Sequence, residues 1–92
     1  MRGNYEPSSN MMKRILHYIL SKGHNGASLK ETWTYFSENG DNFSPASIIS
    51  QIERLKKQGL VVESRQRLAE GYQRRFYDPR FIDNDTLQVN TN

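Results

Sequence analysis

The sequence predicts a mainly α domain in which three helices are followed by a small two-stranded antiparallel β-hairpin. Between residues 10 and 58, apolar side chains recur at helical spacing in three segments, which are bounded by capping residues or by glycine. Beyond Gly59 the pattern changes to a β-branched apolar run and then to an aromatic-rich run, with a turn signal at residues 69–71 between them. At 92 residues, the chain has room for one hydrophobic core.

The first helix is predicted over residues 10–22. Its apolar residues begin at Met12 and recur at i, i+3, i+4, i+7 and i+8, a spacing that places them on one face. Gly23 follows this pattern directly and is the expected C-terminal stop.

The second helix is predicted to begin after Ser28, because Ser28 and Glu31 have the spacing of a capping box. Leu29, Trp33 and Phe36 then lie on one face, and we expect these large side chains to be buried in the core. The helix is expected to end near residue 40.

The third helix, predicted over residues 45–58, is the most informative segment. Ser44 suits the N-cap, and Pro45 suits the first helical position, where a missing N–H group costs no hydrogen bond. Ile48, Ile52 and Leu55 recur at i, i+4 and i+7 and form the buried stripe. The other face carries side chains suited to base edges and phosphates: Ser44, Ser47, Ser50, Gln51, Arg54 and Lys57.

The hairpin is predicted from an apolar strand that begins at residues 60–62 and an aromatic-rich strand at residues 72–77. Side chains two apart share one face of a strand, so the first strand presents a pair of arginines together. The basic residues of the two strands are Arg65, Arg67, Arg74 and Arg75.

Both ends of the chain are polar and lack periodicity. Residues 1–9 are therefore expected to form a flexible arm, residues 10–82 the folded domain and residues 83–92 a disordered tail. The chain has no cysteine for disulfides or thiolate metal sites. It also lacks an apolar run of the roughly 20 residues that span a bilayer. A cytoplasmic location is expected, associated with the nucleoid of a bacterium or in the host cytoplasm of a virus.

Positive charge is concentrated around the end of the third helix and the hairpin. From Arg54 to Arg80, eight basic residues stand against three acidic residues, a local charge of +5, whereas the whole chain carries only +3. Such a concentration favours a polyanionic partner, nucleic acid above all, over an incidental basic surface.

The order helix, helix, turn, helix, glycine, apolar strand and basic hairpin resembles a winged helix-turn-helix domain of the prokaryotic or viral regulator type. The resemblance covers residues 10–82. Its most specific part, SPASIISQIERLKKQGLV, is similar to the recognition helix and first wing strand of many prokaryotic regulators. The spacing from Ser28 to Ser44 is longer than in the shortest helix-turn-helix units and is closer to that of ferric-uptake-type or arginine-repressor-type domains. Nothing here corresponds to the metal-binding dimerisation domain of ferric-uptake-type proteins.

The resemblance implies sequence-specific binding of double-stranded DNA by a small transcriptional regulator, with no cofactor or metal. The third helix would enter the major groove with the six polar and basic residues named above. The hairpin, as the wing, would place its four arginines on the backbone or in the minor groove. The residue types suit these roles, since Gln can bond adenine, Arg can bond guanine, and serine hydroxyls can hold phosphates.

A second interpretation is that the domain docks on another protein, for example a polymerase or a replication component, since a fold alone does not define a function. The polar surface of the third helix favours DNA, because a protein-docking helix more often exposes apolar anchors. A single domain reads only a short half-site, so the sequence leaves open a homodimer as well as a protein partner. An enzyme is not expected, because the sequence has no nucleophile elbow and no glycine-rich phosphate loop.

Overall fold

The computed structural model describes residues 10–83 and 88–89 of the chain. Within them, three α-helices are followed by a long β-hairpin, and a short strand before the second helix extends the hairpin to a three-stranded antiparallel sheet. The helices are α1 (Asn10–Ser21), α2 (Leu29–Glu38) and α3 (Pro45–Lys57), and the strands are β1 (Ala27–Ser28), β2 (Val62–Leu68) and β3 (Gly71–Tyr77). The predicted order of three helices and a hairpin is confirmed.

The apolar stripe of α1 packs into the core as predicted. Met12, Ile15 and Ile19 are almost completely buried. The helix ends at Ser21, and a single 3₁₀ turn at Gly23–Asn25 leads towards β1. The chain can reverse here because Gly23 adopts φ +59°, a left-handed conformation that glycine reaches without steric cost.

The predicted capping box begins α2. Ser28 Oγ accepts a hydrogen bond from the Glu31 N–H at 3.1 Å, and Glu31 Oε1 accepts one from the Ser28 N–H at 3.1 Å. Two backbone donors that the helix itself leaves unpaired are thereby satisfied. This reciprocal pair fixes where α2 starts.

The prediction that Trp33 is buried in the core is wrong. Trp33 is 38% exposed, and its indole N–H donates to the carbonyl oxygen of Phe43 at 3.1 Å. At about 100° per residue, Thr32 and Phe36 form the inward face of α2, and Trp33 lies one step round the helix, beside the α2–α3 connection. Its large amphipathic ring is satisfied there by one polar contact.

The start and the end of α3 match the sequence pattern. Ser44 Oγ accepts the Ser47 N–H at 3.1 Å, and Pro45 occupies the first turn. At the other end, Gly59 adopts φ +76°, so that the N–H of Leu60 bonds to the carbonyl of Leu55 at 3.0 Å. The stripe of Ile48, Ile52 and Leu55 is fully buried.

The predicted antiparallel hairpin is present as β2 and β3, but the sheet has three strands and not the two that were predicted. β2 and β3 pair from Val62 opposite Tyr77 to Leu68 opposite Gly71, as the turn signal predicted. β1 then adds to the other edge of β3, with Ala27 opposite Phe76. Ser28, the cap of α2, is extended, and this conformation lets residues 27–28 pair with the distant strand β3. A strand of two residues is too short to leave an alternating pattern in the sequence.

Gly26 permits the close approach of β1 to β3. It adopts φ +64°, and a Cβ atom built on it would lie 2.5 Å from Cε2 of Tyr77 and 2.7 Å from the carbonyl oxygen of Phe76. Both the backbone conformation and the available space therefore require glycine. The base of the hairpin is in this way clamped against the segment that precedes α2.

Beyond β3, a 3₁₀ turn at Pro79–Phe81 leads to β4 (Ile82–Asp83), which pairs antiparallel with β5 (Gln88–Val89). The predicted flexible arm at residues 1–9, and residues 84–87 and 90–92 of the predicted disordered tail, lie outside the described residues. Across the part of the chain that is described, none of the helices has the length and apolarity needed to cross a membrane.

Candidate nucleic-acid interface

The solvent face of α3 brings five of the predicted residues into one stripe: Ser47, Ser50, Gln51, Arg54 and Lys57. They follow each other at i, i+3, i+4, i+7 and i+10, which keeps them within about a third of the helix circumference. All are exposed except Gln51, which is half-buried. Ser44, the sixth predicted residue, is the N-cap at the head of this stripe.

The head and the middle of the stripe differ in the hydrogen bonds that their side chains make. At the head, Ser44 Oγ and Ser47 Oγ hydrogen-bond to each other at 3.0 Å. In the middle, Oε1 of Gln51 is buried and has no hydrogen-bond partner among the described residues. A buried acceptor without a partner costs free energy, which favours a change of side-chain conformation that gives it one.

Two basic residues of the stripe and one residue of β2 carry positive charge that no described residue neutralises through an ion pair. Arg54, Lys57 and Arg65 form no ion pair with any residue that the structure describes. Each is exposed. Arg67 is paired with Tyr72 in the hairpin ladder, and its side chain is outside the description.

A second group of charged residues ties α3 to the hairpin. We call it the charge cluster, and it consists of Glu53, Lys56, Glu63 and Arg74. Arg74 donates to both oxygens of Glu63, through Nε at 2.6 Å and Nη2 at 3.0 Å, and Nη2 also reaches Glu53 Oε2 at 2.7 Å. Lys56 Nζ lies 2.5 Å from Glu63 Oε1 and 3.3 Å from Glu53 Oε1. Every cation in the cluster therefore faces at least two carboxylate contacts.

The charge cluster has a strong effect on the ionisation of Glu63. The hydrogen bonds from Arg74 lower the pKa of Glu63 to about 2, against the opposing effect of burial and with further help from Lys56. The same contacts raise the pKa of Lys56 and lower that of Glu53, where Arg74 is again the main cause. The cluster is thus fully ionised at neutral pH.

Arg75 points to the opposite face of the sheet and is held by the segment before α2. Its guanidinium donates to the carbonyl oxygens of Asn25 at 3.0 Å and Gly26 at 3.2 Å, and it pairs with Glu31 at 3.0 Å. Burial raises the pKa of Glu31, but the hydrogen bond from Arg75 and the capping contact lower it further than burial raises it. The side chain of Arg75 is only 11% exposed.

The aromatic residues of β3 separate into a buried pair and an exposed one. Phe76 and Tyr77 lie in the core. Tyr72, beside the hairpin turn, is 65% exposed, and Leu68 on the neighbouring strand is also exposed. Base stacking by β3 is therefore open to Tyr72 alone among the three aromatics.

A groove between α1 and α2 is a separate feature, with a volume of about 770 Å³. Its floor includes Tyr18 and Tyr35, whose rings stack with centroids 4.4 Å apart, and Tyr35 is 43% exposed. Lys22 lies over the ring of Tyr18 at 5.4 Å, and His17 of α1 and Lys30 of α2 also line the groove. Sequence reasoning missed this groove, because the two tyrosines come from different helices.

Sequence reasoning also treated Arg74 and Arg75 alike, as wing residues, and gave Glu63 no role. The structure brings Arg65 and Arg74 directly opposite each other on one face of the hairpin and turns Arg75 to the other face. One sequence signal was available, since Glu63 is the single acidic residue of β2. Like charges opposite each other destabilise a sheet, so a carboxylate beside Arg65 and Arg74 is the expected compensation.

Comparisons of the chain with protein-family models, with curated proteins and with solved structures found no match.

Proposed function

We propose that this chain binds double-stranded DNA as a winged-helix domain, with α3 in the major groove and the β2–β3 hairpin as a wing on the backbone or in the minor groove. The solvent face of α3 carries the proposal, because exposed serines and two unpaired basic residues form one continuous stripe there. The major groove admits an α-helix, and a stripe of this composition suits both base edges and phosphates.

The residues of the stripe have different roles in this proposal. Arg54 has the donor geometry for guanine O6 and N7, and the amide of Gln51 suits adenine N6 and N7 once its side chain turns outwards. Ser44 and Ser47 lie at the helix N-terminus, where the backbone dipole favours a phosphate. Lys57 adds a phosphate contact in the last turn.

Arg65 and Arg67 supply the phosphate or minor-groove contacts of the wing. Arg65 supports this role because it is exposed and unpaired among the described residues. Arg74 and Arg75 bond carboxylates and carbonyl oxygens of their own chain, so we assign them to holding the wing in place. Together with Arg54 and Lys57, these two arginines of β2 give a footprint of about four phosphate-neutralising charges.

A domain of this size fits a small transcriptional regulator in the cytoplasm. It reads one short half-site, and useful discrimination among genomic sites generally needs two half-sites or a partner protein. We therefore include a homodimer on a palindromic site in the proposal.

The proposal is tested by fluorescence anisotropy with a random 20-base-pair duplex at 50 mM and 200 mM salt. Neutralising about three to four phosphates should make binding roughly 30- to 200-fold weaker at the higher salt, because released counterions oppose binding. Equal affinity at both concentrations, or no binding at micromolar protein, would contradict it.

Base readout is tested by selecting preferred sequences with wild type, Arg54→Ala and Lys57→Ala. Loss of a bidentate base contact removes about 1–3 kcal/mol of discrimination, so Arg54→Ala should relax the selected motif. Lys57→Ala, which removes the same charge, should weaken all sequences alike and keep the motif. The same motif at the same stringency from Arg54→Ala would rule out a base contact by Arg54.

The groove between α1 and α2 favours a second candidate function, which is docking of an acidic segment of a partner protein. His17, Lys22 and Lys30 line the same groove as the exposed Tyr35 and have no ion-pair partners among the described residues. An NMR titration with an acidic peptide that carries one phenylalanine should shift the resonances of Tyr18 and Tyr35. A shift confined to α3 in a matched DNA titration, with no response to the peptide, would leave DNA binding as the sole proposal.

A further inference from the structure

The charge cluster joins the two elements that the proposed function uses. Glu53 and Lys56 belong to α3, and Glu63 and Arg74 belong to neighbouring strands of the hairpin. Glu63 accepts hydrogen bonds from Lys56 on the helix and from Arg74 across the hairpin, so its carboxylate lies at the junction of all three elements.

The geometry of this junction is more restrictive than that of an ordinary surface ion pair. Arg74 grips Glu63 with two parallel hydrogen bonds, an arrangement that fixes orientation as well as distance. The Arg74 guanidinium also lies over the ring of Phe76, 5.5 Å from its centroid, and the side chain of Glu63 is only 16% exposed. The base of the hairpin therefore has little freedom to pivot against α3.

We propose that Glu63 is a positioning residue for DNA binding, which sets the angle between Arg54 and Lys57 on α3 and Arg65 on the hairpin. The inference rests on the proposed function, because it concerns how the two contact surfaces are held together. Arg65 follows Glu63 by two residues on the same face of β2. Because both residues belong to the same short strand, the contacts that orient Glu63 also orient Arg65.

The reason for such a device is preorganisation. A two-stranded ribbon that is anchored only at its base samples a range of angles, and ordering it on the DNA would reduce the net binding free energy. With Glu63 in place, Arg54 and Lys57 on α3 and Arg65 on the hairpin meet the phosphates at a set spacing. Lys56 and Arg74 serve this arrangement and are withdrawn from DNA.

A positioning role for Glu63 predicts a change in DNA affinity opposite in sign to the one that simple electrostatics predicts for removing its charge. A carboxylate near the DNA repels phosphates, so its neutralisation alone should strengthen binding. If Glu63 positions the wing, Glu63→Gln should instead weaken binding, although the protein becomes more positive by one charge. The two expectations differ in direction and not only in size.

The test compares Glu63→Gln with Glu70→Gln by anisotropy on the same 20-base-pair duplex over a salt series. Glu70 lies in the hairpin turn, is exposed and makes no ion pair within the described part of the chain, so it matches the charge change without the junction. We expect Glu63→Gln to bind about five-fold or more weakly, with a salt slope smaller by about one, because the wing contacts are no longer made together. Glu70→Gln should bind as tightly as wild type or more tightly.

Two controls separate positioning from loss of structure. Circular dichroism melting fixes an assay temperature at which every variant is folded, and mere destabilisation then leaves the salt slope unchanged. Glu63→Asp keeps the charge and should recover part of the lost affinity. Spin labels on Ser50→Cys and Ala69→Cys, in a chain without native cysteine, should show a broader distance distribution in Glu63→Gln without DNA.

Each outcome decides the inference. Binding by Glu63→Gln that equals or exceeds wild type, or an unchanged salt slope, overturns the positioning role while the DNA-binding proposal stands. No binding by wild type overturns both. Weaker binding with a reduced slope and a broadened distance distribution supports the role.

Discussion

Two groups of side chains in the β2–β3 hairpin are alike in residue type but differ in what they contact. On β3, Arg74 and Arg75 each bond carboxylates on another element, and Phe76 is buried. Arg65 on β2 lies directly opposite Arg74, yet it is exposed and forms no ion pair with the described residues, and Tyr72 beside the turn is also exposed. The first group therefore serves stability and orientation, and the second is left available for a partner.

This difference shows that the number of charges in a segment does not measure the charge that it offers. Lys56 and Arg80 belong to the basic segment between residues 54 and 80, yet each is paired with a nearby carboxylate. Among the described residues of that segment, the cations without ion pairs are Arg54 and Lys57 on the outer face of α3 and Arg65 on β2. A polyanion would meet those two places first.

The largest effect should come from removing the aromatic ring at the base. Phe76→Ala is expected to lower the free energy of unfolding by about 3–5 kcal/mol, since it leaves a cavity in the core. Tyr72→Ala, on the same strand and the same face, should change it by less than about 0.5 kcal/mol because the ring is mostly exposed. Urea denaturation of both variants measures the contrast. Equal losses would show that the tip is packed in solution.

A smaller loss is expected where the base of the hairpin meets the segment before α2. Gly26→Ala should cost about 2–4 kcal/mol, because its Cβ would overlap the ring of Tyr77 and the Phe76 carbonyl. Gly23→Ala is the matched control, since its φ of +59° is almost the same and no atom lies within 4 Å of the added Cβ. It should cost only the strain of a left-handed L-residue, about 1–2 kcal/mol. If the two melting temperatures fell equally, the steric argument for Gly26 would be wrong.

The charge cluster predicts a loss of stability in acid. The folded-state pKa of Glu63 is about 2, below its ordinary 4.5, so its stabilising contribution is complete above pH 4.5 and is lost as the pH falls towards 2. We expect about 1–3 kcal/mol to disappear over that range. Chemical denaturation at pH 6, 4 and 2.5 tests this, with Glu63→Gln as the variant that lacks this part of the pH dependence. Parallel curves for the two proteins would contradict the assignment.

The smallest effect on stability is expected at Arg65. Arg65→Ala should leave the melting temperature almost unchanged and reduce the salt slope of DNA binding by about one, because one phosphate contact is lost. Arg75→Ala should do the reverse, since it breaks hydrogen bonds to the segment before α2 without removing a proposed DNA contact. A large loss of stability in Arg65→Ala would remove the distinction between the exposed Arg65 and the engaged arginines of β3.

Local signals predicted the helices well because each end depends on a few neighbouring residues. The Ser28–Glu31 capping box, the Ser44 cap and the Gly59 stop all act within one turn of chain. The buried stripe of α3 followed in the same way from spacing alone. Such features are visible in a sequence because their partners are close in the sequence.

The elements that sequence reasoning missed depend on distant partners. β1 exists because Ala27 meets Phe76, and Arg75 bonds the carbonyl of Asn25 across 50 residues of sequence. Trp33 was misplaced for a related reason, since its indole partner is the Phe43 carbonyl in a connection without periodicity. For the candidate site, spacing predicted the stripe on α3, but only packing shows which arginines are already engaged.

The lone tryptophan of the chain also makes the α2–α3 connection directly observable. The Trp33 ring is partly in water and is anchored by its N–H to the Phe43 carbonyl, immediately before the cap of α3. Its emission wavelength therefore reports on the hydration of one defined corner of the molecule, next to the end of α3 that carries the proposed phosphate contacts. The protein contains its own optical reporter, and seating of a ligand at that corner can be followed without a label or a substitution.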